Sequence, residues 1–279
     1  NRRCMVAWRA LGLFFHVFPT RAGPGCAASS MAGQESCCPP GSLPGLEEDA
    51  NVALLGSVEV VDGRAVYYSP PPEASTKGVV VLYDVHGFSG GRIKGVCDAL
   101  ASKGFHVVMP DVFEGSNIKT QGGFSDEKAM AWLKAMSAES VDRIAPAFSK
   151  LSAVGAKSVG AIGFCWGAYP TFKLSAAGLI KAGAACHPSL KLGNMFFGET
   201  EEAQAAAAMC HMMLMPASND DDRYRDGTLS KIVEANGFEA RVRDFPDMQH
   251  GWVPRGDATL PDVKRDVEVA IREAAAFFQ

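Results

Sequence analysis

From Val52 onward, apolar positions fall into two alternating rhythms. Short continuous runs at 79–83, 106–109, 158–162, 182–185, 211–215 and 240–243 have the length of strands buried on both faces. Between them lie windows of helical period at 92–102, 127–136, 139–152, 166–177, 200–208, 223–235 and 262–277. Strand and helix in strict alternation require crossover connections, which make parallel neighbours and place helices on both faces of one sheet. Ahead of this series, β-rich runs at 58–61 and 65–68 flank Asp62-Gly63, the turn dipeptide of a hairpin. The pattern predicts one α/β domain over 51–279: a mostly parallel central sheet with an antiparallel N-terminal hairpin at its edge.

The first fifty residues do not share this rhythm. Residues 1–34 carry Arg2, Arg3, Arg9 and Arg21 with no acid before Glu35, a short apolar run at 11–15 and small residues at 27–30. Residues 1–30 therefore read either as a cleaved targeting segment or as an extension upstream of a start at Met31. Residues 31–50 contain Pro39, Pro40, Gly41, Pro44 and Gly45 and read as an extended arm rather than packed structure.

Composition narrows the function classes. With 47% hydrophobic and 21% charged residues, the 279-residue chain has the balance of a globular protein. A net charge of −4 argues against a partner held by phosphate neutralisation, so no nucleic acid is expected. No run of 18 apolar residues is free of charge and proline, so no membrane span is expected either. The eight cysteines form no C-x-x-C pair, the basic element of zinc ribbons and thioredoxin-like sites, and the chain has no N-x-S/T sequon. No metal and no cofactor is expected. Thiols so scattered read as buried small hydrophobes in a reducing, cytoplasmic compartment, or an organelle if 1–30 is a targeting segment. A monomer or weak homodimer is expected.

In an open parallel sheet, ligands sit beyond the carboxyl ends of the strands. The loop after 162 carries Gly163-Phe-Cys165-Trp-Gly167, a G-x-C-x-G turn from strand to helix. Such a turn strains the backbone at its centre, and flanking glycines remove side chains that would collide. A thiol there faces a helix N-terminus, which lowers its pKa and offers amides to an oxyanion. Out of this context, a cysteine between glycines is usually a structural thiol; at the end of a buried strand it reads as a nucleophile.

A thiol nucleophile needs a base, and the base needs an orienting group. His250 follows the last strand, and Asp220 opens an Asp220-Asp221-Asp222 run after the preceding strand. The order Cys165, Asp220, His250 is the nucleophile–acid–base order of α/β-hydrolases. Asp220 is taken as nearest the strand end, with Asp221 and Asp222 open alternatives. Asp84 and His86 lie in the loop after 83; Asp84 either exchanges a proton with Cys165 or caps its own turn. His187 ends another strand and either lines the pocket or packs in the core. Arg255 is either a fork for a substrate carboxylate or a solvated loop residue. Cys97, Cys186 and Cys210 read as core thiols.

With these residues assembled, the chain from about Cys37 to Gln279 resembles the dienelactone hydrolase family of α/β-hydrolases. The likeness rests on Gly163–Gly167, the Tyr83–Phe88 loop, Pro110-Asp111-Val-Phe-Glu-Gly115, Asp220, and His250-Gly-Trp followed by Arg255. Cys37-Cys38-Pro39 and His187-Pro188-Ser189 resemble the eukaryotic, fungal-type branch. The resemblance implies cofactor-free hydrolysis of a small lactone or carboxylic ester through an acyl-enzyme on Cys165. Backbone amides of Trp166 and Val85 would form the oxyanion hole. The bacterial enzyme has a glutamate where this chain has Asp84, and a second substrate arginine in a stretch where this chain has none between Arg92 and Arg143. A substrate other than dienelactone itself is therefore expected. The competing readings are a thioesterase or general small-ester hydrolase on the same triad, and a non-catalytic ligand-binding or redox-sensing protein of this fold.

Overall fold

A computed structural model describes residues 37–49 and 52–279. The expectation of a targeting segment at 1–30 falls outside the described residues. Eight strands form one sheet: β1 (Ser57–Val61), β2 (Arg64–Ser69), β3 (Lys77–Leu82), β4 (His106–Pro110), β5 (Ser158–Phe164), β6 (Ala182–Cys186), β7 (His211–Met215) and β8 (Ala240–Val242). The spatial order is β1-β2-β4-β3-β5-β6-β7-β8. β1 and β2 are antiparallel, β2 joins β4 antiparallel, and every other pair is parallel. The hairpin thus occupies one edge, with Asp62 and Gly63 of its turn both at positive φ, as a two-residue loop between twisted strands requires.

The helices are α1 (Ile93–Ala101), α2 (Glu127–Ala138), α3 (Ser140–Ala153), α4 (Ala168–Ala176), α5 (Lys191–Phe197), α6 (Glu201–Ala206), α7 (Thr228–Ala235), α8 (Trp252–Arg255) and α9 (Pro261–Phe277). The sequence pattern missed α5 and α8. α5 holds the glycine Gly193 and buries only Leu192 and Gly193, and α8 is four residues long, so neither has room for an apolar stripe. The window at 223–235 was too long: Asp222–Tyr224 form a 3₁₀ turn, and Gly227 at φ 90° starts α7 afresh.

Val79, Val80, Val81 and Leu82 in β3 and Val107, Val108 and Met109 in β4 are all buried. These central strands carry helices on both sides, so they show no polar alternation. The outer strands differ: Val58 and Val60 of β1 and Val242 of β8 are exposed. Among the described residues no helix is long and apolar enough to cross a membrane.

The described part of the arm, 37–49, has little regular structure and is mostly exposed or half-buried, but it is tied to the domain at several points. Cys37 is fully buried. Leu43 N donates to His250 O at 3.0 Å and Gly91 N to Leu46 O at 2.6 Å. Asn219 Nδ2 donates to Pro40 O at 2.9 Å, and Lys94 pairs with Glu48 at 2.7 Å. Proline and glycine disfavour helix and strand in the arm, whose described residues make a single bridge, Glu47 to Gly90, and leave its carbonyls to accept from the loops it crosses.

Candidate active site

β5 ends at Phe164, and a 3₁₀ turn, Cys165–Gly167, leads directly into α4. Cys165 sits in the turn at φ 52°, one of four described non-glycine residues at positive φ, a conformation that costs a side-chain-bearing residue about 1 kcal/mol or more. The flanking glycines make the turn possible. A Cβ on Gly163 would run into the carbonyl of Gly167, and one on Gly167 into the carbonyl of Leu82. Pro170 is the third residue of α4, in the first turn, where a missing amide matters least.

Of the three consecutive aspartates, Asp220 reaches His250: Oδ1 lies 2.6 Å from Nδ1, and both side chains are buried. Its Oδ2 accepts from Ala217 N at 2.7 Å, so the carboxylate is held at both oxygens. Asp221 and Asp222 turn away to Arg223 and Arg225. His250 N donates to Asn219 Oδ1 at 2.7 Å, which ties the histidine loop to the aspartate loop.

Cys165 is fully buried, with Cys38 Sγ at 3.6 Å and Ser189 Oγ at 3.4 Å. Burial pushes its thiol pKa up, but hydrogen bonds from Cys37 and Cys38 and the charge of His250 outweigh this and leave it well below the ordinary value. For His250, burial pulls downward, while the Cys165 charge and the Asp220 hydrogen bond dominate and raise it well above the ordinary imidazole value. The two shifts run in opposite directions, each favouring the charged form of its own group.

The remaining predicted residues also lie near the site. Arg255 is not a solvated loop residue: it is buried, and its Nε donates to Asp84 Oδ2 at 2.8 Å. Its Nη1 binds the carbonyl of Leu43, and its Nη2 is buried without a hydrogen-bond partner. Asp84 uses its other oxygen to accept from His86 N at 2.8 Å. It caps its own turn and neutralises Arg255, and the expected proton exchange with Cys165 has no hydrogen bond behind it among the described residues. Val85 follows Asp84 on the same loop, and Trp166 follows Cys165 in the 3₁₀ turn. The Trp166 indole points into the core, where Nε1 donates to Ser137 Oγ at 2.8 Å.

His187, at φ 37°, is fully buried with its ring 4.9 Å from that of His250 and 5.1 Å from that of Trp252. Neither ring nitrogen has a hydrogen-bond partner. Burial, then the His250 charge, holds its pKa well below the usual range. Sequence reasoning missed Cys37, Cys38 and Ser189 as site residues. Ser189 Oγ donates to Cys37 O at 2.7 Å and so joins the arm to the Cys165 pocket. Beside the arm, a cavity of about 530 Å³ is lined by Gly45, His86, Phe88, Lys119 and Phe124, among others.

A strand-to-helix turn bearing a thiol after β5, with Asp after β7 and His after β8, on this sheet order, defines an α/β-hydrolase fold. The sequence profile of the dienelactone hydrolase family matches residues 64–279, and the chain belongs to that family. It is 26% identical over 240 residues to the hydrolase tropI of Talaromyces stipitatus, covering 81% of this chain and 90% of that one. It is 25% identical over 215 residues to the carboxymethylenebutenolidase homolog of Xenopus tropicalis, covering 73% and 82%. A Klebsiella pneumoniae structure described as a dienelactone hydrolase superposes with a TM-score of 0.61 at 17% identity, covering 81% of this chain and 99% of that one. At that identity it speaks for the fold alone.

Proposed function

We propose that this member of the family hydrolyses a small carboxylic ester or lactone through an acyl-enzyme on Cys165. The reading is carried by the buried 2.6 Å contact of Asp220 with His250 together with the strained turn that holds Cys165. The Cys165 thiolate attacks the carbonyl carbon and forms a C–S bond, and the carbonyl oxygen takes the negative charge. Amides of Trp166 and Val85 stabilise that oxyanion. Collapse breaks the C–O bond, and His250 passes its proton to the departing oxygen. His250 then takes a proton from water, the hydroxide attacks the thioester, and Cys165 leaves as thiolate with the carboxylic acid released. Asp220 keeps the imidazole in the productive tautomer throughout. The cavity beside the arm is lined by His86 and Phe88 of the loop after β3 but not by Cys165, Asp220 or His250. Hydrolase names among the relatives support the same class.

The test is multiple-turnover hydrolysis of cis- and trans-dienelactone beside p-nitrophenyl acetate, for wild type and Cys165→Ala. Turnover that disappears in the variant is the expected result, and the ratio of lactone to ester rates assigns the substrate class. Equal rates in the two proteins would remove Cys165 from the mechanism.

A further inference from the structure

We propose that Cys37, Cys38, Cys165 and His250 form a binding site for a single thiophilic, tetrahedral cation of the Zn²⁺ class. The three sulfurs lie within 4.8 Å of one another. Cys37 Sγ to Cys38 Sγ is 3.6 Å, and Cys38 Sγ to Cys165 Sγ is also 3.6 Å. A tetrahedral zinc with bonds of about 2.3 Å to sulfur separates two thiolate ligands by about 3.8 Å. Two edges of the cluster are therefore already close to those of the coordination sphere and the third is within 4.8 Å, so binding asks for side-chain adjustments rather than a refolded arm.

The fourth ligand would be His250, which is not among the atoms lying within 4.8 Å of one another and would have to move in. It is fully buried, and its Nε2 has no hydrogen-bond partner among the described residues. Its other nitrogen is held by Asp220. A carboxylate fixing the far nitrogen of a histidine is the support that metal-bound imidazoles have, because it sets the tautomer and raises ligand basicity. Three sulfurs and one imidazole are a Cys₃His donor set, which selects soft and borderline cations over Mg²⁺ or Ca²⁺. Cys38 is partly exposed and gives the ion its way in.

Charge balance is straightforward. The bound form is three thiolates, a neutral imidazole and M²⁺, with net charge −1; the protons formerly on the two arm thiols and on the imidazolium pass to the buffer. The ion would join the arm to the elbow and to the His250 loop. On the reading of Cys165 as nucleophile, it would also occupy nucleophile and base together, so binding would switch hydrolysis off. Ion binding itself does not depend on that reading.

The experiment uses the full chain, reduced and free of oxygen and metal, titrated with Co²⁺ as a spectroscopic stand-in and then with Zn²⁺. The expected result is one Co²⁺ per chain, with thiolate-to-cobalt charge-transfer absorption and the visible bands of a tetrahedral ion, both abolished when Zn²⁺ displaces it. Cys38→Ser is expected to lose about a third of the charge-transfer intensity, as one of three thiolates, and to bind at least about tenfold more weakly. The Cys37→Ser/Cys38→Ser pair is expected to lose the tetrahedral spectrum. Wild type without charge-transfer bands at stoichiometric cobalt overturns the proposal, as does binding unchanged in the paired variant. Should the paired variant fail to fold, as circular dichroism would show, the wild-type spectrum and the partly exposed Cys38→Ser still decide. Ester turnover by the metal-free chain is measured separately, so loss of the hydrolase reading and loss of the metal site are distinct results.

Discussion

Arg255 Nε lies 2.8 Å from Asp84 Oδ2, and both side chains are buried. The pair joins the α8 segment to the loop after β3 and so fixes the position of the Val85 amide relative to the elbow. The same guanidinium binds the Leu43 carbonyl of the arm, so one residue braces three loops around Cys165.

Breaking the pair from one side leaves a buried charge without its partner. Arg255→Met is therefore expected to lower unfolding stability by about 3–5 kcal/mol. The Asp84→Asn/Arg255→Met protein should lose clearly less than the two single losses added together, because the stranded charge is gone. Urea denaturation of the three variants checks this, and additive losses would show that the two residues do not act as a pair.

Asp220→Asn removes the group that stabilises the His250 imidazolium. With the imidazolium less favoured, the Cys165 thiolate loses its counter-charge, so its pKa must rise. The expected outcome is a fall of about 10⁴-fold in kcat, the scale seen when a triad acid becomes an amide. The acid limb of the pH–rate profile should move to higher pH. In wild type that limb should lie well below the ordinary thiol range, since Cys165 is depressed, and an alkaline limb should follow loss of the raised His250 proton. Thiolate absorbance followed against pH gives the same ordering without substrate, and an unmoved midpoint in Asp220→Asn would remove the carboxylate from the ion pair.

His187 gives a stability prediction with the opposite sign in acid. Its native pKa is depressed, whereas in the unfolded chain it is about 6.5. Below that pH the unfolded chain therefore holds more protons at this residue, and the native state loses up to about 1.4 kcal/mol per pH unit as pH falls. His187→Asn removes this proton uptake and keeps a residue type that tolerates positive φ. Its stability relative to wild type should improve by about 1 kcal/mol between pH 7.5 and 5.5. Parallel denaturation curves at the two values would contradict a neutral buried imidazole.

Gly167→Ala is expected to destabilise the fold by about 1–3 kcal/mol or more, since the added methyl meets the Leu82 and Tyr83 carbonyls at the end of the central strand. Gly155→Ala gives a comparison at a loop glycine whose Cβ would meet nothing within 4 Å, leaving backbone strain alone at φ 85°. Thermal unfolding separates the steric cost from the conformational one, and equal losses at the two positions would mean that the elbow is not tightly packed.

Much of this was legible along the chain because it is local. Strand and helix periods, the Asp62-Gly63 turn and the G-x-C-x-G elbow each depend on neighbours a few residues apart, and parallel topology follows from their alternation. Asp220 ahead of Asp221 and Asp222 was legible only as the residue nearest the strand end. The contact with His250, 30 residues away, singles it out in space.

The amino-acid sequence by itself determined the order of elements, the edge hairpin, the buried parallel strands and which loops carry reactive side chains. It did so because those properties come from short-range sterics and from the period of burial. Only the tertiary structure decided that Arg255 meets Asp84, that the His187 ring is sealed without a hydrogen bond, and that the proline-rich arm brings Cys37 and Cys38 against Cys165. Those pairings join residues 171 and 127 positions apart. No local period encodes them, because they arise where separate strand ends converge and buried charges and carbonyls must find partners.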